Sequence, residues 1–155
     1  MIVRFAKEEE LDRVNELRKQ VNDLHAAGKP DVFRPEFSRE LRDLIRVIWN
    51  DPEKQIVVAE QAGTVCAYAV LHRIHRPESP SKLARDYLDI DEFGVDEAFR
   101  RRGAATAMID FIRGYARKNG LRRIELNMWE FNRDALAFYE AVGFATYRRY
   151  MELDL

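Results

Sequence analysis

Chemistry is concentrated in Val95-Asp96-Glu97-Ala98-Phe99-Arg100-Arg101-Arg102-Gly103-Ala104-Ala105, where a strand-like run passes through three arginines into small residues that open a helix. Successive backbone N–H groups converge on a phosphate only where no side chain blocks them, and Gly103, Ala104 and Ala105 leave that space at a helix start. Arg100, Arg101 and Arg102 add charge where the helix dipole is already positive, which is costly unless an anion offsets it. The pattern points to an anionic ligand; a solvated surface turn is the alternative that spacing leaves open. Neither a Walker A loop nor a dinucleotide-binding fingerprint is present, because the glycine pattern and the P-loop lysine are missing. Gly94, just before the turn, suits a close approach of ligand to backbone, or else marks a strand end.

Other reactive residue types fit structural roles. His72 and His75 are three apart on a strand-like run, which sends their rings to opposite faces, and no carboxylate stands at ligand spacing. Metal chemistry is not expected. Cys66 lies in an apolar run without an activating motif, as a buried thiol does, so an acyl-cysteine route is not expected either. Arg117, Lys118, Arg122 and Arg123 gather near the end of a helix, where the dipole favours cations anyway.

The elements that must position the basic turn follow from periodicity. Residues 2–6 read as a short strand. Leu11, Val14, Leu17, Val21 and Leu24 recur at helical spacing, and Gly28-Lys29-Pro30 ends that pattern. A second helix follows Ser38 as N-cap and carries Leu41, Leu44, Ile45 and Ile48 up to Asn50-Asp51-Pro52. Gln55–Glu60 and Thr64–His72 flank Gln61-Ala62-Gly63 as a hairpin. Residues 76–86, with Pro77 and Pro80, read as a loop, and Tyr87–Val95 as a strand. A helix over Ala104–Asn119 stops at Gly120, and Ile124, Leu126 and Met128 alternate with polar residues as a strand, which completes a βαβ unit. A last helix, Arg133–Val142, has Asn132 as N-cap and Gly143 beyond its end, with a strand expected from Phe144 towards Leu153. The order β-α-α-β-β-β-α-β-α-β predicts an α/β or α+β fold with a mixed sheet covered by helices.

Composition sets the bounds. The 155 residues, 46% hydrophobic and 34% charged, predict one domain over residues 1–155 with a strongly solvated surface. Lys+Arg 26 against Asp+Glu 27 provides no global basic field for nucleic acid, so any anion site is local. The single cysteine allows no internal disulfide. Residues 1–10 lack the apolar core of a signal peptide, and no stretch approaches the ~20 apolar residues of a membrane span. A cytoplasmic location without membrane partners is expected.

With these residues in place, the sequence resembles the GCN5-related N-acetyltransferase (GNAT) family. Its acetyl-CoA motif, Arg or Gln, two residues, Gly, one residue, then Gly or Ala, is matched by Arg100–Ala105. Its second signature, an Asn-containing helix ending in Tyr-Glu and then Gly-Phe, is matched by Asn132–Phe144. The resemblance implies a central mixed, mostly antiparallel sheet with a splayed parallel strand pair and helices on both faces. It also implies acetyl-CoA as co-substrate, with the pyrophosphate held by Arg100, Arg101, Arg102, Gly103, Ala104 and Ala105. Phe93, Gly94 and Val95 would meet the pantetheine arm and acetyl carbonyl at a strand bulge, and Asn132 would be both helix cap and cofactor contact.

Acetyl transfer to an amine needs a neutral amine, a polarised carbonyl and a proton for the departing thiolate. An alkyl ammonium titrates near ~10.4, so a base is called for; Glu92 is the first choice and Asp91 the second, and strand alternation puts them on opposite faces. A backbone N–H near Val95 would polarise the carbonyl. By resemblance Tyr139 is the general acid; apart from its flanking motif, Phe138-Tyr139 would read as the apolar face of a helix. The acceptor segments, residues 25–35 and 73–86, carry His25, Phe33, Arg34, His75, Arg76 and Glu78 with no dominant sign. Clustered acid would mark a polyamine or aminoglycoside; mixed polarity fits a small amine or a protein or peptide amine. Phe93 and Phe138 argue against a long acyl chain. Homodimerisation through edge strands is a family habit, and the alternative function is a non-catalytic acetyl-CoA sensor or interaction module.

Overall fold

The computed structural model describes residues 1–155. Its sheet has five strands in sequence order: β1 (Ile2–Phe5), β2 (Lys54–Gln61), β3 (Thr64–Arg76), β4 (Arg85–Val95) and β5 (Ile124–Leu126). Neighbours pair antiparallel except β4 and β5, which run parallel. The helices are α1 (Leu11–Gly28), α2 (Arg39–Asn50), α3 (Ala104–Lys118) and α4 (Arg133–Ala141). Parallel neighbours need a crossover, and α3 supplies it between β4 and β5.

Local chemistry explains most boundaries. Ser38 Oγ caps α2 by accepting the Leu41 N–H at 3.3 Å. The β2–β3 turn is Ala62-Gly63, with φ of 50° and 78°, the left-handed pair that a two-residue hairpin requires. The β3–β4 hairpin is longer than its sequence pattern: pairing continues to Arg76↔Arg85, so the loop shrinks to residues 77–84. Pro77 and Pro80 sit in the tip because proline cannot donate to the ladder.

The sheet divides the apolar interior in two. On one face α3 buries Met108, Ile109 and Ile112 against Val57, Ala69, Leu71, Leu88 and Ile90. On the other, Leu11, Val14 and Leu17 of α1 and Ile45 of α2 pack on Ile56, Val58, Tyr68 and Val70. The alternation of β2 and β3 sorts these two sets. Cys66 is fully buried, donates weakly to the Ala59 carbonyl at 3.4 Å, and has its thiol pKa raised by burial. No helix is long and apolar enough to cross a membrane.

The strand expected from Phe144 towards Leu153 does not form. The last backbone-to-backbone bond runs from Phe144 N–H to the Tyr139 carbonyl at 2.9 Å, and residues 145–155 make none. Side chains hold the segment instead: the Tyr147 hydroxyl donates to Glu125 at 2.7 Å, and Lys29 pairs with Glu152 at 2.6 Å. Tyr150, Met151 and Leu153 are exposed, so neither face of the expected strand is covered. Alternation without a ladder and a buried face does not stabilise a strand.

Candidate active site

The site begins where β4 and β5 part. They pair only at Leu88↔Ile124, Asp89↔Glu125 and Ile90↔Leu126; β4 then continues to Val95 with no strand beside it on that edge. In the same stretch β4 bulges: Leu71 pairs with Ile90 and Val70 with Glu92, leaving Asp91 as the extra residue. The bulge corrects the alternation expected for the two acids. Asp91 pairs with Lys54 Nζ at 2.8 Å and Glu92 with Arg18, so both turn towards the α1 and α2 side.

Across the opening, Arg101 (φ 62°) and Gly103 (φ 85°) fold the chain into an anion nest ahead of α3. The first helical bond is Ala107 N–H to the Gly103 carbonyl at 3.0 Å; the N–H groups of residues 101–106 donate to no other backbone or side-chain group. A Cβ on Gly103 would meet nothing within 4 Å. Arg100 leans on Glu97 at 3.4 Å and Arg102 lies 5.4 Å over the Phe99 ring, while Arg101 has no acidic partner. Six orphan donors, a helix N-terminus and an unpaired guanidinium are complementary to a phosphate. They fit the pyrophosphate of a CoA thioester.

Helix α4 brings Tyr139 to the same cleft. Asn132 Oδ1 caps the helix by accepting the Ala135 N–H at 3.1 Å, and the Arg113 guanidinium donates to the Val142 carbonyl at its far end. The Tyr139 ring meets Phe93 edge to face at 6.2 Å, and Phe138 stacks on Phe93 at 6.4 Å. The Tyr139 hydroxyl has no protein hydrogen-bond partner, and burial pushes its pKa up to about 12, so it is a protonated donor at neutral pH.

Glu92 is not free. Arg18 Nε and Nη2 reach its two oxygens at 2.9 and 3.1 Å, and the Tyr68 hydroxyl adds 3.1 Å. This arrangement favours a fixed charge over a carboxylate that shuttles protons. His25, Phe33, Trp129 and Phe131 form an aromatic wall with ring centroids 4.9 to 6.5 Å apart, and the charge of Glu92 acts on the His25 ring.

Of these residues, Arg18, Tyr68, Trp129 and Phe131 were missed by sequence reasoning. Arg18 left a signal, because it stands seven residues after Leu11 and four after Val14, a charge on the apolar stripe. The acceptor segments hold no clustered acid, but the sheet does: Asp89 faces Asp91, Glu125, His72 and Lys54, and burial followed by the two acids pushes its pKa to about 6. Nowhere do three or more His, Cys, Asp or Glu side chains come together as metal ligands.

A splayed parallel pair with an anion nest at the crossover helix defines the class. The chain belongs to the GNAT acetyltransferase family, whose model matches residues 18–144. Among curated proteins it is 42% identical over 60 residues to an uncharacterised N-acetyltransferase of Methanocaldococcus jannaschii, an overlap covering 39% of this chain and 26% of that protein. It is 25% identical over 126 residues to L-ornithine N5-acetyltransferase of Arabidopsis thaliana, covering 81% of this chain and 53% of that enzyme. The matches thus span about a quarter and about half of those relatives. Among solved structures, a tetramutant of a Bacillus halodurans protein superposes with a TM-score of 0.94 at 26% identity over 100% of both chains.

Proposed function

We propose that this protein moves an acetyl group from acetyl-CoA to a primary amine of a small molecule or peptide, by direct attack in a ternary complex. The run of unpartnered N–H groups over residues 101–106, opening onto the β4–β5 splay, carries the reading. Acetyl-CoA supplies the activated acyl group, and the residues of this chain do the rest. The nest and Arg101 bind the pyrophosphate. The free edge of Phe93, Gly94 and Val95 pairs with the amide-bearing arm, and a backbone N–H near Val95 polarises the acetyl carbonyl. Phe93 and Phe138 close the acyl end and restrict it to short chains.

Tyr139 gives its phenolic proton to the sulfur as the C–S bond breaks and regains one from the amine nitrogen that has formed the amide. Glu92, held by Arg18 and Tyr68, provides fixed charge at the acceptor end. The name of the Arabidopsis relative supports a small amine with a flexible aminoalkyl chain.

The test is calorimetric titration with acetyl-CoA and CoA, then thiol release over a panel of small amines and peptide N-termini. Binding with amine-dependent CoA release is expected. Absence of binding to both ligands overturns the reading of the nest, and binding without release on any amine moves the protein to the acetyl-CoA-sensor alternative.

A further inference from the structure

We propose that His25 is the group that takes the proton from the incoming ammonium, with Glu92 fixed behind it as a counter-charge. This rests on the transferase reading above. Glu92 is poorly placed to carry that proton, because doing so would strip the Arg18 guanidinium, only 6% exposed, of its counter-charge. The cleft offers one imidazole. Of the three histidines, His25 is the one on which Glu92 acts and the one packed against Phe33 and Phe131, whereas His75 is bound to Asp86 and His72 stands opposite Asp89.

The path of α1 places His25 over the opening. Arg18, Val21, His25 and Gly28 follow at intervals of three, four and three, one face of the helix. Arg18 contacts Glu92 on β4. Val21 packs so tightly on Gly94 that a Cβ there would lie 2.8 Å from its Cγ2. Gly28 leaves its side-chain space to the Phe131 ring, beyond the end of β5. The stripe therefore bridges the splay, and His25 stands between its contact with β4 and its contact with the β5–α4 loop.

The imidazole is left available. No hydrogen bond to its ring nitrogens perturbs it; Phe33 packs on the ring at 4.9 Å and Phe131 meets it edge-on at 6.3 Å. Glu92 is the charged group that acts on it, and Lys29 at the helix end is turned to Asp31 and Glu152. Burial holds the ring pKa below the usual histidine value against the opposing pull of Glu92, so the base is neutral at pH 7.

The step balances. R–NH3+ passes one proton to His25; the neutral nitrogen attacks the acetyl carbonyl; the C–S bond breaks, the sulfur takes the Tyr139 proton, and a second amine proton restores the phenol. His25 then releases its proton to solvent.

The experiment compares wild type, His25→Gln and Glu92→Gln for CoA release from acetyl-CoA with two nucleophiles small enough for any amine site: ethylamine, an ammonium at pH 7, and hydroxylamine, already largely neutral there. His25→Gln is expected to lose ~100-fold with ethylamine and only a few-fold with hydroxylamine. Its ethylamine rate should climb about tenfold per pH unit towards the ammonium pKa of ~10.4, and free imidazole should restore part of the loss at pH 7. Equal loss with both nucleophiles means a structural role and overturns the assignment, as does an unchanged ethylamine rate. A selective ethylamine loss in Glu92→Gln alone transfers the role to Glu92. If wild-type protein binds acetyl-CoA yet releases no CoA with either nucleophile, the transferase reading fails and His25 fails with it.

Discussion

Arg18 binds both oxygens of Glu92, 2.9 Å from Nε and 3.1 Å from Nη2, and spends its Nη1 on Asn15 Oδ1 and the Leu41 carbonyl at 2.9 and 2.8 Å. One guanidinium thus ties α1, the start of α2 and the bulged strand β4 together beside the opening of the sheet. The catalytic reading and the stability of this corner are linked through that contact.

Glu92→Leu should therefore destabilise the protein by about 3–5 kcal/mol in urea unfolding, since it leaves a buried guanidinium without its acid. Glu92→Gln keeps an acceptor for Arg18 and Tyr68 and should cost less, about 1–3 kcal/mol. Unchanged midpoints in both variants would show that Arg18 is solvated when Glu92 is gone.

Gly103 and Gly63 provide an internal comparison. Both have left-handed backbones, φ 85° and 78°, and a Cβ on either would meet nothing within 4 Å. Replacement by Ala should cost each ~1–2 kcal/mol of backbone strain. Only Gly103→Ala should weaken acetyl-CoA binding, by about tenfold or more, because only there do unpartnered backbone N–H groups surround the glycine and stand ready for the proposed pyrophosphate. Equal affinities in the two variants would remove the nest from the binding site.

Tyr139→Phe should lower turnover by ~100-fold and leave the acetyl-CoA Kd within about twofold. With its pKa near 12, Tyr139 stays protonated through pH 10 and should impose no alkaline decline on wild-type turnover below that. A parallel loss of affinity would assign the hydroxyl to holding the cofactor and not to proton donation, since the ring that packs on Phe93 is retained in Tyr139→Phe.

Asp89 makes stability depend on pH in an unusual direction for a carboxylate. Its folded pKa of about 6 lies above the ordinary 3.8, so the folded state holds the proton more tightly, and stability falls as pH rises between those values. Asp89→Asn, neutral at every pH, should be more stable than wild type at pH 8, with the advantage shrinking from pH 6 to pH 4. Urea midpoints at pH 4.5 and 8 measure this; a gap that does not change with pH would place Asp89 in full solvent.

The sequence pattern placed the basic turn, the Asn132 cap, the Gly120 stop and the Ala62-Gly63 hairpin correctly, because each depends on interactions within a few residues. It failed at the C-terminus, where alternation in residues 144–153 met no ladder, and between Asp91 and Glu92, where a one-residue bulge cancelled the alternation. Arg18 was legible only as an anomaly in an apolar stripe; its partner on β4 was not legible.

By itself the sequence determined the periodicities, the caps and the basic glycine turn, and through two motifs the family, since all of these lie in contiguous residues. Only the tertiary structure decided which side chains meet beside the opening of the sheet. Arg18 and Glu92 are 74 residues apart, and their meeting depends on α1 lying across a bulged β4 at a separation that Gly94 permits. Periodicity specifies the face a residue presents; packing between distant elements specifies what that face meets.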